Sequence, residues 1–241
     1  MARHDGDVFM GLADDLKAQV KTIFHDKWVT RDGQSVPSSE NLKLTNDAVK
    51  LDATVLYADL SESTKLVETK KNWFAAEIYK AYLHCAAKII SAEGGQITAY
   101  DGDRIMAIFI DGSKNTNASR AGFKINFAVR EIINPAIKNQ YPKANYQIKQ
   151  SVGIDTSDLF IARTGIRGSN DLVWVGRAAN YAAKLAALSA DYPTRITADV
   201  YNMLNKSMKT SSDGRSMWQK ASWNDMNNIT IYRSNWWWSV G

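Results

Sequence analysis

The chain has 241 residues, enough for one sizeable α/β domain with appendages or for two small domains, and we expect one. Hydrophobic residues make up 45% and charged residues 23%, which is typical of a soluble globular protein. No apolar run approaches the roughly eighteen residues that a membrane-spanning helix needs. The composition therefore excludes a membrane-spanning protein.

The formal net charge of +5 indicates a polyanionic partner. The lysines and arginines are scattered and form no long basic run, so a triphosphate is as good a candidate as nucleic acid. We expect no nucleic-acid partner. The single cysteine, Cys85, excludes an intrachain disulfide, and the N-terminal stretch has early acids without an apolar signal core. Both features favour a cytoplasmic location.

The first half of the chain predicts a helix, a connector, a strand and a second helix. Apolar residues recur at helical spacing within 8–27. Residues 31–47 are polar and contain Gly and Pro, so we expect an extended connector and a compact domain that starts near residue 48. Residues 53–59 are typical of a buried strand, and 73–93 of a helix that ends at two glycines.

The second half predicts a sheet whose strands alternate with helices. The "DGD" turn between two apolar runs predicts a hairpin over 96–110. A mixed sheet flanked by helices, of the α+β class, is the expected architecture. The other predicted elements are a helix over 114–139, strands over 146–155 and 159–164, a helix over 175–190, a strand over 194–197 and a short helix over 198–204.

The stretch "VLYADLSEST" places a carboxylate, Asp59, at the end of the first strand. Side chains alternate along a strand, so Val55, Tyr57 and Asp59 share one face. A carboxylate there is a hard-oxygen ligand suited to Mg²⁺ or Mn²⁺, and the following "SEST" offers backbone amides to an anion. The commoner explanation of such a cluster is a turn with a helix cap.

A second acid strengthens the metal hypothesis. Asp103 lies in the tight hairpin turn, and pairing of that hairpin beside the first strand would bring its carboxylate near Asp59. Asp101 is the alternative ligand, and both acids are also ordinary turn residues. Further along the chain, Asn180 and Lys184 share one helix face and would orient a sugar and neutralise a phosphate, although a solvated face is the simpler interpretation.

Three motifs carry a family resemblance. "LYADLSEST", "GGQITAYDGDRIMAIF" and "DLVWVGRAANYAAKL", in this order, resemble the class III nucleotide cyclases over about residues 53–204. The resemblance implies a ferredoxin-like βαββαβ core, preceded here by an N-terminal helix and followed by a C-terminal extension. It also implies a head-to-tail homodimer with active sites shared between the subunits, which bind a nucleoside triphosphate.

The resemblance assigns roles to residues by position. Asp59 and Asp103 would bind two divalent cations, Mn²⁺ or Mg²⁺, with the carbonyl of Leu60 as a further ligand. Asn180 would position the ribose. Lys184 stands where the family usually has an arginine, so it keeps the charge and loses the bidentate fork. The β- and γ-phosphates would bind the backbone amides of four residues, Ser61, Glu62, Ser63 and Thr64.

The base pocket departs from the adenylyl cyclases within this family. They usually carry a lysine where this sequence has Ala99, and an aspartate or threonine where it has Val173. Without these groups a purine would bury polar edges unpaired, which costs discrimination. Tyr57 adds bulk on the face of Asp59. These differences predict a smaller base.

The lead-in and "VWVGRAANYAAKL" are similar, over residues 28–190, to the pyrimidine cyclases of bacterial antiphage defence. This resemblance implies cyclisation of UTP or CTP by a two-metal mechanism, and a separate effector that responds to the cyclic nucleotide. We expect residues 1–47 to form a helix and lead-in, and 48–241 the cyclase domain. An adenylyl cyclase and a catalytically inactive nucleotide sensor are the alternatives. The tryptophans at 236–238 are expected to cover their own domain or the dimer contact, not a membrane.

Overall fold

A computed structural model of the chain describes residues 11–241. Helices and strands are numbered separately in chain order. The elements are α1 (Leu12–His25), β1 (Val29–Asp32), β2 (Asp47–Ser61), α2 (Ser63–Thr69), α3 (Asn72–Ala92), β3 (Gln96–Asp101), β4 (Arg104–Phe109), α4 (Lys114–Phe127), α5 (Asn134–Gln140), β5 (Lys149–Ile166), β6 (Ser169–Val175), α6 (Arg177–Ala186), β7 (Thr194–Thr197), α7 (Ala198–Met203), α8 (Lys206–Lys209), β8 (Gln219–Trp223) and β9 (Ile229–Ser234).

The described strands form a nine-stranded mixed sheet in the order β3-β4-β2-β5-β7-β9-β8, with β1 beside β2 and β6 beside β5. β2 is antiparallel to both β4 and β5, whereas β5 and β7 are parallel. The four strands β5, β2, β4 and β3 lie side by side with the connectivity of a ferredoxin-like βαββαβ core. The predicted α+β class and core topology are confirmed.

The two faces of β2 pack against different helices. Leu56, Ala58 and Leu60 join the core beneath α3 and α4. Val55 packs on the other face with residues of α6. Because side chains alternate, Asp59 belongs to the α6 face, as the sequence pattern predicted. The charge of Asp59, at the end of β2, also reaches α3, where it raises the pKa of the buried Tyr82 alongside the larger effect of burial.

Strand β5 differs most from the prediction. It is one strand of 18 residues, where the sequence predicted two strands separated by the polar stretch around Thr156. The buried hydroxyl of Thr156 is satisfied inside the sheet, because Thr156 Oγ1 donates to the carbonyl of Ala53 at 3.1 Å and accepts from Thr54 Oγ1 at 3.1 Å. Strands β6, β8 and β9 were not predicted. The predicted helix over 114–139 is interrupted by a π-helical turn at Ala128–Ile133.

The lead-in is attached to the sheet. The amide of Asn46 donates to the carbonyls of Ile23 and Asp26, at 2.9 and 2.7 Å, and so satisfies the end of α1. β1 then pairs in parallel with the start of β2. The part of the predicted helix before residue 11 lies outside the described residues.

The C-terminal tryptophans lie against the core. Trp236 and Trp238 pack on the cluster beneath α3 and α4, and the ring of Trp238 is 6.2 Å from that of Phe123. This agrees with the predicted covering of the chain's own domain. Over residues 11–241, no helix has the length and apolar character needed to cross a bilayer.

Helix α6 rests directly on β5 at Gly153. A Cβ at this position would lie 2.1 Å from the carbonyl oxygen of Ala182 and 2.5 Å from the amide nitrogen of Ala186. Both atoms belong to the helix backbone and cannot rotate away. Only glycine therefore allows α6 this close to the sheet.

We expect Gly153→Ala to lower the free energy of unfolding by about 1–3 kcal/mol or more, because helix and strand must separate to admit the methyl group. Urea denaturation measures the change. Gly112→Ala is the control, since a Cβ at Gly112 meets no atom within 4 Å. Equal stability of the two variants would contradict the close contact.

Candidate functional site

Asp59 lies at the end of β2 in the middle of the sheet. Its cross-strand neighbours are Arg104 on β4 and Ser151 on β5. Arg104 Nη2 donates to Asp59 Oδ2 at 3.2 Å. The side chain of Asp59 is only 16% exposed, so this carboxylate has lost most of its contact with water.

Asp103 extends towards Asp59 from the β3–β4 turn. Burial raises the pKa of Asp59, the charge of Arg104 lowers it, and the charge of Asp103 raises it further. Asp103 Oδ2 is itself buried and has no hydrogen-bond partner within residues 11–241. Two carboxylates thus converge, and one oxygen has its lone pairs unsatisfied, as expected of a cation ligand.

The other hairpin acid has a different environment. Asp101 is exposed, and its charge acts on Tyr57, raising the pKa of that phenol alongside the larger effect of burial. It is absent from the charges that shift the pKa of Asp59. Of the two alternatives, the structure therefore brings Asp103 to Asp59.

The loop after β2 forms one side of a cavity of about 440 Å³. Glu62 takes the left-handed conformation, with φ 59° and ψ 29°, and lies immediately before α2. A left-handed residue in such a turn is typical of backbone conformations whose amides bind anions. The cavity is lined by Asp59, Leu60, Ser61, Glu62, Ser63, Thr64, Lys149 and residues 186–191.

Two of the predicted base-pocket residues share a face of the sheet. Tyr57 pairs with Met106, which pairs in turn with Ala99. Tyr57 and Ala99 pack on the cluster that contains Met106. Val173 lies elsewhere, because it pairs with Ala162 at the opposite end of the sheet and is 40% exposed. One chain therefore does not bring all three together.

Asn180 and Lys184 lie on the exposed face of α6. The opposite face of this helix, which packs on the sheet, consists of small residues and Leu185. Neither Asn180 nor Lys184 lines the cavity beside Asp59. The predicted acids and the predicted amide and cation thus belong to two separate surfaces of one chain.

Three polar residues near the cavity were missed by the sequence analysis. Arg104 directly follows Asp103 and could have been found from the register of the hairpin. Lys149 and Arg195 follow no motif, and each reaches this region only through strand pairing in the folded chain.

Comparison with known proteins identifies the family of this chain. No protein-family model matches the chain. A uridylate cyclase of Xanthomonas perforans is 56% identical over 96% of this chain and all of that relative. A uridylate cyclase of Burkholderia cepacia is 54% identical over 96% of this chain and likewise all of the relative. The chain belongs to the uridylate cyclase family.

The solved structures agree with this family. A guanylyl cyclase crystal structure superposes with a TM-score of 0.65 over 79% of this chain and 95% of that chain, at 16% identity. At that identity the match shows the fold. The resemblance to class III nucleotide cyclases predicted from the sequence is confirmed, and so is its narrower resemblance to pyrimidine cyclases.

The raised pKa of Asp59 predicts a pH-dependent stability. In the folded chain the ionised carboxylate is disfavoured, so its contribution to stability falls as pH rises from the unfolded pKa, about 3.9, through the folded pKa. Asp59→Asn removes this titration. We expect the variant's unfolding free energy, relative to wild type, to be higher at pH 7 than at pH 4 in urea denaturation with EDTA.

Asp213→Asn is a control of opposite sign. The hydroxyl of Ser211 lowers the pKa of Asp213, so ionised Asp213 stabilises the fold above its unfolded pKa. Its removal should cost more at pH 7 than at pH 4. A pH-independent difference for Asp59→Asn would show that burial of Asp59 does not govern its ionisation.

Proposed function

We propose that this protein is a pyrimidine nucleotide cyclase that converts UTP to 3′,5′-cyclic UMP and pyrophosphate. Its membership of the uridylate cyclase family is the observation that carries the proposal. The converging carboxylates beside an amide-lined cavity supply the chemistry that such a reaction needs. CTP is the alternative pyrimidine substrate.

Asp59 and Asp103 fit a site for divalent cations. Carboxylate oxygens are preferred by Mg²⁺ and Mn²⁺, and Asp103 Oδ2 is buried without a partner among residues 11–241. No group of three or more Asp, Glu, His or Cys converges within these residues, so the carbonyl of Leu60, substrate phosphates and water would complete the coordination. Cations bound there would lower the pKa of the ribose 3′-hydroxyl and neutralise the triphosphate.

The protein's own groups would position the substrate. We assign the β- and γ-phosphates to the amides of residues 61–64, which line the cavity next to Asp59. Because Asn180 and Lys184 face away from this cavity, they would serve the cavity of a second copy. Each active site of the homodimer would then combine the acids of one copy with the ribose amide and the cation of the other.

The base would be selected by the size of its pocket and by the absence of polar side chains that could bond a purine edge. Ala99 and Val173 offer no polar side chain to a purine edge, and the half-buried Tyr57 occupies space on the face of Asp59. Val173, at the far end of the sheet, would approach the base from the second copy. A purine bound here would leave polar groups unpaired.

The wider role follows from the resemblance to antiphage pyrimidine cyclases. We assign residues 48–241 to the cyclase domain and 1–47 to its helix and lead-in, and we place the enzyme in the cytoplasm. Its product would act on a separately encoded effector.

We expect the purified protein, given each of the four nucleoside triphosphates with Mn²⁺, to produce mainly cyclic UMP by mass spectrometry. Asp103→Asn should lower turnover about 100-fold or more, the scale of losing an electrostatic stabiliser of a transition state. Asp101→Asn is the matched control, one turn residue away and exposed, and should retain activity.

Each alternative function predicts a different result in these assays. Dominant cyclic AMP would indicate an adenylyl cyclase. Tight UTP binding without turnover would indicate an inactive sensor. Loss of activity in Asp101→Asn with retention in Asp103→Asn would reverse the assignment of the metal ligand.

A shared active site predicts complementation between inactive variants. Asp59→Ala and Asn180→Ala should each be inactive alone. In a heterodimer of the two variants, one active site carries both substitutions and the other carries neither. After complete subunit exchange of an equal mixture we expect about one quarter of wild-type turnover, because half of the dimers are mixed and each has one working site.

The control is a mixture of Asp59→Ala with Asp103→Ala. Both lesions fall in the same half-site, so no mixed dimer has an intact site and no activity should return. Recovery in this control, or none in the first mixture despite exchange shown by mass spectrometry of the native dimers, would contradict a shared site.

A further inference from the structure

We propose that Lys149 and Arg195 form a cationic subsite for the β- and γ-phosphates, facing the loop of residues 61–64 across the cavity. This inference rests on the proposed function, because it assigns the part of the triphosphate that leaves as pyrophosphate. Lys149 would contact the phosphates. Arg195 would be a positioning residue that acts through the cavity wall and through its charge.

Lys149 is the first residue of β5 and pairs directly with Ser61 in the β2–β5 register. It lines the same cavity as the loop amides. The side chain is exposed and forms no ion pair with any residue from 11 to 241. An unengaged ammonium beside a row of amides is suited to a phosphate group.

Arg195 lies beneath the opposite wall of the cavity. It is only 4% exposed. Its guanidinium donates from Nη1 to Ser151 Oγ at 3.2 Å and to the carbonyl of Tyr192 at 2.8 Å, and from Nη2 to the carbonyl of Ser189 at 2.5 Å. Ser189 lines the cavity, so Arg195 fixes part of its wall.

The position of Arg195 relates it to the metal site. Ser151, which accepts its hydrogen bond, pairs directly with Asp59 across β2 and β5. Arg195 itself pairs with Gly153, two residues further along β5, so the three side-chain positions share one face of the sheet. The guanidinium therefore lies on the cavity side of the sheet.

Arg195 is buried and forms no salt bridge with a carboxylate of the described chain, although the charge of Asp191 acts on it from a longer distance. Arg177, on the same sheet face, bonds both Asp155 and Asp199. Burial, aided by repulsion from Arg233 and opposed by the charges of Asp191 and Tyr192, lowers the pKa of Arg195 to about 10, so it stays charged at neutral pH. A buried cation without a directly paired anion costs folding free energy.

A purely structural role accounts for only part of this arrangement. Arg195 donates to three acceptors, one of which belongs to the cavity wall, and a neutral donor would satisfy them without the cost of burying a charge. A triphosphate in the cavity would add negative charge near the guanidinium, beyond that of Asp191. The positive charges of Lys149 and Arg195 would then stabilise the bound phosphates and the pyrophosphate that forms as the reaction proceeds.

The test measures binding of inorganic tripolyphosphate by calorimetry in EDTA, together with steady-state kinetics. We expect Lys149→Met to weaken tripolyphosphate binding and pyrophosphate inhibition about tenfold, which corresponds to losing about 1.4 kcal/mol of interaction. KM for UTP should rise more than kcat falls, and the ratio of UTP to CTP use should stay constant. Lys220→Met, an exposed lysine on β8 outside the cavity lining, removes the same charge and should change none of these.

Arg195 is tested with two variants. Arg195→Met should weaken tripolyphosphate binding when corrected for the folded fraction, and Arg195→Lys, which keeps the charge, should restore part of it. Unchanged affinity in Arg195→Met with a lowered melting temperature would assign it a structural role only and overturn its half of the inference.

Two outcomes separate this inference from the proposed function. Wild-type tripolyphosphate affinity in Lys149→Met, with cyclic UMP still formed by the wild type, would overturn the subsite and leave the cyclase assignment intact. If the wild type forms no cyclic nucleotide but Lys149→Met weakens tripolyphosphate binding, the anion subsite stands and the cyclase assignment falls. Should Arg195→Met fail to fold, Lys149→Met and Arg195→Lys still decide the question.

Discussion

The site depends on two carboxylates held together against their mutual repulsion. Asp59 has lost water at the end of a central strand, and the charge of Asp103 opposes its ionisation. Arg104, the first residue of β4, offsets part of that cost through its Nη2, which lies 3.2 Å from Asp59 Oδ2. Pairing of β2 on both sides fixes the backbone of Asp59 at this position. A cation held by these two acids would offset their repulsion.

Helix α6 then determines how the rest of the site is divided. Gly153 lets its small residues lie against the sheet, and this packing fixes both the end and the outer face of the helix. The residues after its end form the wall of the cavity in the same chain, whereas Asn180 and Lys184 point outward. One rigid helix would thus shape its own phosphate cavity and complete a neighbour's ribose site. Asn180 and Lys184 do not line the cavity of their own chain, which is the arrangement that the proposed shared site requires.

The parts of the fold with strong local signals were predictable from the sequence, and the parts set by long-range pairing were not. The β3–β4 hairpin and the alternation around Asp59 have clear turn and period-two patterns. The continuity of β5 was hidden because Thr156 is polar, and its partners, Thr54 and Ala53, are distant in the chain. Arg195 was missed for the same reason: nothing in the local sequence shows that its guanidinium meets Ser151 across two strands.

Two cations near the proposed cavity, Arg195 and Lys149, are suited to a compact polyanion. Nucleic acid is usually bound by a continuous basic surface, whereas here Arg195 is buried and Lys149 stands at the mouth of a small cavity. A compact polyanion satisfies both, and a triphosphate has that form. Lys184 would add charge from the second copy, as a single ammonium without the fork of an arginine. If Lys149, Arg195 and Lys184 together neutralise the triphosphate, no single cation has to neutralise all of its charge. A lysine at position 184 would then be compatible with catalysis.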